Sequence, residues 1–235
     1  MKTITAVLGS PKSVDKSVTA ELINKFFLEI KSHVPQVITE IISLSEKNVS
    51  MCKGCLTCKK TGKCPIADDI EDIKSQLKKS DIIVFGSPVH ISHVSTTFKN
   101  FLDRMIVSLH TFEFIGKPCI NFVTANGSGE QETKKYMNHM ALLFGAIPIS
   151  TIIKLANDKF NDGNYNKAIE RTIGILSGRN RIKPTIMNSL YFMSMKSIIL
   201  KNDDYFEYEA KLWRERNWDK KGFKKVLDEN ASSAN

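Results

Sequence analysis

Four of the five cysteines fall within thirteen residues: Cys52, Cys55, Cys58 and Cys64, in the spacing C-x2-C-x2-C-x5-C, with Pro65 next. Thiols this crowded in a chain without a secretory leader point to metal or redox chemistry rather than a disulfide framework. Compact spacing can wrap four thiolates around one cubane, resembling but not equalling the ferredoxin run C-x2-C-x2-C-x3-C-P. Tetrahedral zinc also accepts four thiolates, although zinc sites more often pair two separated C-x2-C knuckles, and metal-free thiols are the third reading. Lys53, Lys59, Lys60 and Lys63 would offset the charge of a thiolate-ligated cluster. Gly54 and Gly62 permit tight turns there. Cys119 lies inside an apolar run and reads as a plain core residue.

Three loops carry the remaining candidates. The first reads Gly9, Ser10, Pro11, Lys12 and then Ser17, Val18, Thr19 at the start of a helical pattern. Hydroxyls and backbone N–H groups at a helix N-terminus, with one Lys, suit a phosphate dianion. The loop has neither G-x-G-x-x-G nor G-x-x-x-x-G-K-[ST], so it favours a mononucleotide phosphate over a dinucleotide. An ordinary capped turn is the plainer reading of the same residues. The second loop is Gly86, Ser87, Pro88, Val89, His90, Ile91, with Lys99, Asp103 and Arg104 on the following helix. The third holds Thr124, Asn126 and Gly127.

The elements that must position these loops follow from hydrophobic periodicity. Apolar or β-branched runs at 3–8, 37–42, 81–85, 119–124 and 149–155 alternate with helical spacing at 19–30, 70–77, 98–105 and from the third loop to Phe144. Asp68 and Asp69 are capping candidates for the second of these helices. Such alternation makes a parallel sheet with helices on both faces, because parallel neighbours need right-handed crossovers. The expectation is an α/β, doubly wound, five-stranded parallel sheet of order 2-1-3-4-5, with ligands bound beyond the carboxyl ends of its strands. Residues 1–178 would form this domain and 179–235 a helical C-terminal extension. The extension carries a Met-rich run from Ile186 to Leu200, then Tyr205, Phe206, Tyr208, Trp213 and Trp218. Stripes of that kind usually cover a core or a second subunit. The polar tail Asn230 to Asn235 reads as a frayed end.

Net charge is +9, from 34 Lys and Arg against 25 Asp and Glu, which favours anionic ligands. The basic residues are scattered, without an interleaved aromatic and Arg platform, which argues against a nucleic-acid partner. No apolar run approaches the ~20 residues of a membrane span, and a strand-like run begins at Thr3 without a leader, so a cytoplasmic protein is expected.

Gly86 to Val89 and the helix with Lys99, Phe101, Leu102, Asp103 and Arg104 match G-S-P-V-Y and K-x-F-[IL]-D-R. With the Ser-rich first loop, residues 1–178 resemble the NAD(P)H-dependent FMN reductase and iron–sulfur flavoprotein group of the flavodoxin-like superfamily. The resemblance implies FMN, with Ser10, Lys12, Ser17, Val18 and Thr19 at its phosphate. Pro88, Val89, His90 and Ile91 would flank the ring, and Thr124, Asn126 and Gly127 would meet its polar edge. It also implies NAD(P)H as donor, a small-molecule or redox-protein acceptor, a homodimer, and a 4Fe-4S cluster on Cys52, Cys55, Cys58 and Cys64 in some members. No catalytic side chain is required. Lys12 stands where Arg is common, Val18 where Asn is common, and His90 where Tyr is common; Lys keeps the charge but not the bidentate fork. The alternatives are a non-enzymatic flavodoxin-type carrier, disfavoured because flavodoxins are typically acidic, and a cofactor-free regulatory domain with a zinc knuckle.

Overall fold

Strand-forming runs and helical runs alternate along the chain as their periodicity requires. The computed structural model describes residues 1–156 and 162–233. Its strands are β1 (Thr3–Leu8), β2 (Ile38–Ser43), β3 (Ile82–His90), β4 (His93–Val94), β5 (Pro118–Ala125) and β6 (Ile147–Leu155). The helices are α1 (Val18–His33), α2 (Thr57–Thr61), α3 (Ile70–Lys79), α4 (Thr96–Arg104), α5 (Ile106–His110), α6 (Glu130–Leu143) and α7 (Asp162–Leu176). Three more, α8 (Ile186–Lys201), α9 (Glu207–Glu215) and α10 (Phe223–Ser233), follow. The tail read as frayed is helical through Ser233, and residues 234 and 235 lie outside the described residues.

The five long strands are parallel and ordered β2-β1-β3-β5-β6, which is 2-1-3-4-5 among themselves. Alternate residues of each strand feed opposite faces. Ile4, Ala6, Ile82, Val84, Ile120 and Phe122 pack under α1 and α7, whereas Val7, Ile83, Phe85, Cys119 and Val123 pack under α3, α4 and α6. Both faces being covered, β3 and β5 read as nearly continuous apolar runs.

One expected loop is strand instead. Gly86 to His90 continues β3, pairing in parallel with β5 as far as Pro88 opposite Thr124, and then antiparallel with β4 through Val89–Val94 and His90–His93. The triplet Gly-Ser-Pro reads as a turn on its own, but β5 beside it supplies ladder partners. The turn proper falls on Ile91 and Ser92, at φ of 47° and 58°. Positive φ at both central residues is what a tight hairpin of this hand demands, and it is strained for a β-branched residue. A second correction concerns Asp69, which precedes α3 without capping it. Its carboxylate accepts from the Asn48 amide at 2.8 Å.

The C-terminal helices join the α3/α4/α6 side of the core. Phe192 sits at their centre, with ring centroids 4.9 Å from Trp213, 5.3 Å from Phe112, 5.7 Å from Phe223 and 5.9 Å from Trp218. Full burial of one such side chain contributes on the order of 2–3 kcal/mol. Trp213 also donates its indole N–H to the carbonyl of His110 at 3.0 Å, and the buried carboxylate of Glu209 meets His110 Nδ1 at 3.0 Å. No helix among the described residues is long and apolar enough to cross a membrane.

Candidate functional site

At the carboxyl ends of β1, β3 and β5 the three loops meet around one cleft of about 470 Å³. Ser10, Lys12, Ser17, Val18, Thr19, Pro88, Val89, His90, Thr124 and Asn126 all line it. Ile91 and Gly127, also named from sequence, do not. Ile91 stands wholly exposed at the hairpin tip, and a Cβ on Gly127 would meet nothing. Glu21 and Lys154 line the cleft without having been anticipated, 3.9 Å apart as a loose ion pair. Lys154 comes from β6, whose sequence offers only an apolar run with one cation in it.

Close approach of the first two loops rests on Gly9. Its amide donates to the Gly86 carbonyl at 2.7 Å, and a Cβ there would come within 2.4 Å of Phe98 Cβ. The hydroxyl of Ser95 accepts from the Phe98 amide, capping α4, and donates to the Gly9 carbonyl. The Ser95 amide in turn donates to Ser87 Oγ at 3.0 Å. One buried chain of hydrogen bonds therefore ties the phosphate-type loop, the β3–β4 hairpin and the start of α4 together.

Within the first loop the two serines are placed for an anion. Ser17 Oγ accepts from the Ala20 amide at 3.2 Å, capping α1, and Ser10 Oγ accepts from the Lys12 amide at 3.2 Å. An oxygen that accepts a backbone N–H still has its own O–H to donate. The structure shows the capped turn, and the same hydroxyls keep a proton that a phosphate could accept. The first N–H groups of α1 have no intrahelical acceptor and add a positive dipole end. Thr19 is different: its hydroxyl and that of Thr124 bond each other at 2.7 Å, both buried. This pair fixes the floor between α1 and β5. The donors, helix terminus and volume fit a phosphorylated cofactor of mononucleotide size.

The cysteines occupy the segment between β2 and α3. Cys52 and Cys55 are exposed, Cys58 and Cys64 half-buried. Burial pushes the Cys58 thiol up, and Cys64, Cys55 and Cys52 push it the same way, so all four thiols act on a common neighbourhood. Hydrogen bonds from the Thr57 hydroxyl and amide hold the Cys55 thiol below its ordinary range. Among the described residues no three His, Cys, Asp or Glu stand close enough to hold one metal ion. The four thiols share one loop but do not converge as a ready-made ligand set. Burial pushes the Cys119 thiol up, and it lies in the β5 core as expected.

This loop is strapped at both ends to α4. Asn100 accepts from the Cys52 amide at 3.3 Å and donates to the carbonyls of Val49 and Ser50 at 3.0 and 3.3 Å. One turn further, Arg104 grips Asp68 through two bonds of 2.6 and 2.9 Å and donates to Ser50 O at 2.7 Å. The extension holds the middle. Lys59 is buried, with Nζ 3.9 Å from the Tyr205 ring centroid and 4.5 Å from that of Phe206, so it anchors α2 rather than facing the thiols. Gly62, at φ of 76°, ends α2 where a Cβ would meet the Tyr208 ring at 2.2 Å. Asn100 and Tyr208 carry no sequence signal for these roles.

Solved structures define the fold first. An NADH:FMN oxidoreductase in its apo form superposes over 78% of this chain and 92% of its own, with a TM-score of 0.56 at 14% identity. An FMN-dependent NADH-azoreductase of Bacillus anthracis in complex with FMN superposes over 77% and 100%, with a TM-score of 0.56 at 14% identity. The fold is flavodoxin-like. The model of the NADPH-dependent FMN reductase family matches residues 2–159, and the chain belongs to that family. An iron–sulfur flavoprotein of Clostridioides difficile is 29% identical over 205 residues, covering 83% of this chain and 88% of its own. One of Archaeoglobus fulgidus is 29% identical over 144 residues, 61% and 64% of the two chains. One of Methanocaldococcus jannaschii reaches 47% over 66 residues, 28% and 34% of the two chains. The chain is accordingly a flavin-dependent oxidoreductase.

Proposed function

We propose that this protein takes electrons from NADH or NADPH through FMN in the cleft and delivers them to an acceptor, with a 4Fe-4S cluster on Cys52, Cys55, Cys58 and Cys64 as the exit route. The observation that carries the reading is the convergence of three strand-end loops on one cleft whose first loop presents two oriented hydroxyls at a helix N-terminus. FMN, when bound, supplies hydride acceptance and electron release. Ser10, Ser17 and the α1 N-terminus bind the phosphate, with Lys12 adding charge. Pro88, Val89 and His90 would hold the ring, and Thr124 and Asn126 would meet its polar edge. No side chain has to move a proton.

The acceptor fits several chemical classes: a free flavin, a quinone, an azo or nitro compound, or a redox protein. Bracing of the cysteine loop by α4, the helix that follows the ring-flanking hairpin, favours electron transfer between the two sites and hence a redox-protein partner. We assign a homodimer on the exposed apolar face of α8 formed by Ile186, Leu190 and Met193, and a reducing cytoplasm, where free thiols persist. Protein produced without oxygen should contain one FMN, about four iron and four sulfide per chain, and oxidise a reduced nicotinamide. Absence of FMN would end the flavin reading; FMN and nicotinamide oxidation without iron would leave a simple flavin reductase.

A further inference from the structure

We infer that Lys154 is the second cation of the phosphate site and that Glu21 is the counter-charge the phosphate displaces from it; the inference rests on the FMN reading above. Among the described residues lining the cleft, Lys12 and Lys154 are the lysines and Glu21 is the carboxylate. A phosphate monoester carries a charge of about −1.5 to −2 at neutral pH, more than Lys12 alone offsets. Lys154 approaches from the far strand. The ladder of β5 and β6 sets it opposite Thr124, and the Thr124 hydroxyl bonds that of Thr19 in the first turn of α1. Its Nζ lies 3.9 Å from the Glu21 carboxylate. The Glu21 amide donates to the Ser17 carbonyl at 2.9 Å, so the two residues are neighbours on one face of α1. The ammonium thus stands beside the residue one turn above the capping hydroxyl.

A carboxylate in a cleft that suits an anion calls for an explanation, and the two halves of the pair differ in a way that supplies one. The side chain of Glu21 is 72% exposed and that of Lys154 only 32%, so the carboxylate is the solvated half and the ammonium the enclosed one. So loose and exposed a pair is worth at most about fivefold in an equilibrium constant. A hydrogen bond to a charged group is worth about 10- to 150-fold. Exchanging Glu21 for a phosphate oxygen is therefore downhill for Lys154, and Glu21 stays hydrated when it turns away. Without phosphate, Glu21 satisfies the ammonium. With phosphate bound, Lys12 from the loop and Lys154 from the strand offset the dianion from two sides.

The test is titration of the flavin-free, full-length protein with FMN and, in parallel, with riboflavin, read by quenching of flavin fluorescence. Lys154→Met keeps an apolar stem and removes the charge. It should weaken FMN binding about 10- to 150-fold and leave riboflavin within roughly twofold of wild type. Glu21→Gln removes the competing carboxylate and its repulsion of the phosphate. It should tighten FMN binding while riboflavin stays level, and it carries the test alone should Lys154→Met fail to fold. With FMN bound by the wild type, any of three results overturns this inference and leaves the flavin reading intact: a loss below tenfold in Lys154→Met, a matching loss for riboflavin, or no gain for FMN in Glu21→Gln. A wild-type protein that does not bind FMN overturns both.

Discussion

Replacing Ser17 separates two jobs that its single hydroxyl performs. As the α1 cap it accepts from Ala20 at 3.2 Å, and losing such a cap costs about 1 kcal/mol. For a chain of this size that is a fall in Tm of about 2–4 °C. As a donor to a phosphate it makes a hydrogen bond to a charged group, typically about 1.5–3 kcal/mol, or about 10- to 150-fold in Kd. Ser17→Ala should therefore lower the melting temperature of flavin-free protein slightly and weaken FMN binding strongly. Ser17→Asp restores the cap, since Asp is as good there as Ser, but sets a carboxylate against the phosphate. It should melt like the wild type and bind FMN less well than the Ala variant. The assay is fluorescence quenching of FMN and, in parallel, of riboflavin, which has no phosphate. Riboflavin affinity should stay level across all three proteins. FMN affinity within twofold of wild type in Ser17→Ala, or an equal loss for riboflavin, would show that the phosphate does not lie on this loop.

Cys55→Ala should abolish the iron signal of anaerobic protein while leaving FMN bound, because the cleft residues and the cysteine segment are separate; loss of both together would refute that separation. Stability should fall in acid. Burial pushes the carboxyls of Asp68 and Glu113 up, but Arg104 with the amides of Ser50 and Ile70 outweighs it at Asp68, and Lys78 with Lys74 and Thr111 outweighs it at Glu113. Both are thus held below their ordinary 3.8 and 4.5. A carboxyl lowered in the folded state contributes stability that is present above its unfolded value and lost as pH falls through the folded one. Urea titrations should give a level unfolding free energy above about pH 5.5 and a decline below about pH 4.5, with a shallower decline in Glu113→Gln. Ending the chain after Arg179 should uncover Phe112, against which Phe192 and Trp213 pack. Aggregation or loss of assembly on gel filtration is expected; a monodisperse, flavin-replete product would refute it.

The sheet was legible because its signal is redundant: each βα unit repeats the same change of period, and parallel order follows from crossovers alone. The cleft was legible for a related reason. Loops at strand ends lie together whatever their sequence, so Ser10, Pro88 and Thr124 meet by topology before chemistry is considered. Where sequence reading failed, a long-range partner decided the outcome. Gly86 to His90 is strand because β5 lies beside it, and Thr19 and Thr124, 105 residues apart, satisfy each other. The same holds for the cysteine loop, whose spacing is plain but whose supports are not. Asn100 and Arg104 sit four apart on α4, and Lys59 and Tyr205 meet across 146 positions. What periodicity cannot express is that α4 reaches from the hairpin beside the cleft to the cysteine loop. Its first residues hang on Ser95 and Gly9, its last on Asp68. A rigid helix with a polar anchor at each end fixes the spacing of two candidate redox sites more firmly than the loops that contain them. The resemblance in the run Lys99 to Arg104 therefore marks a structural strut between the two sites.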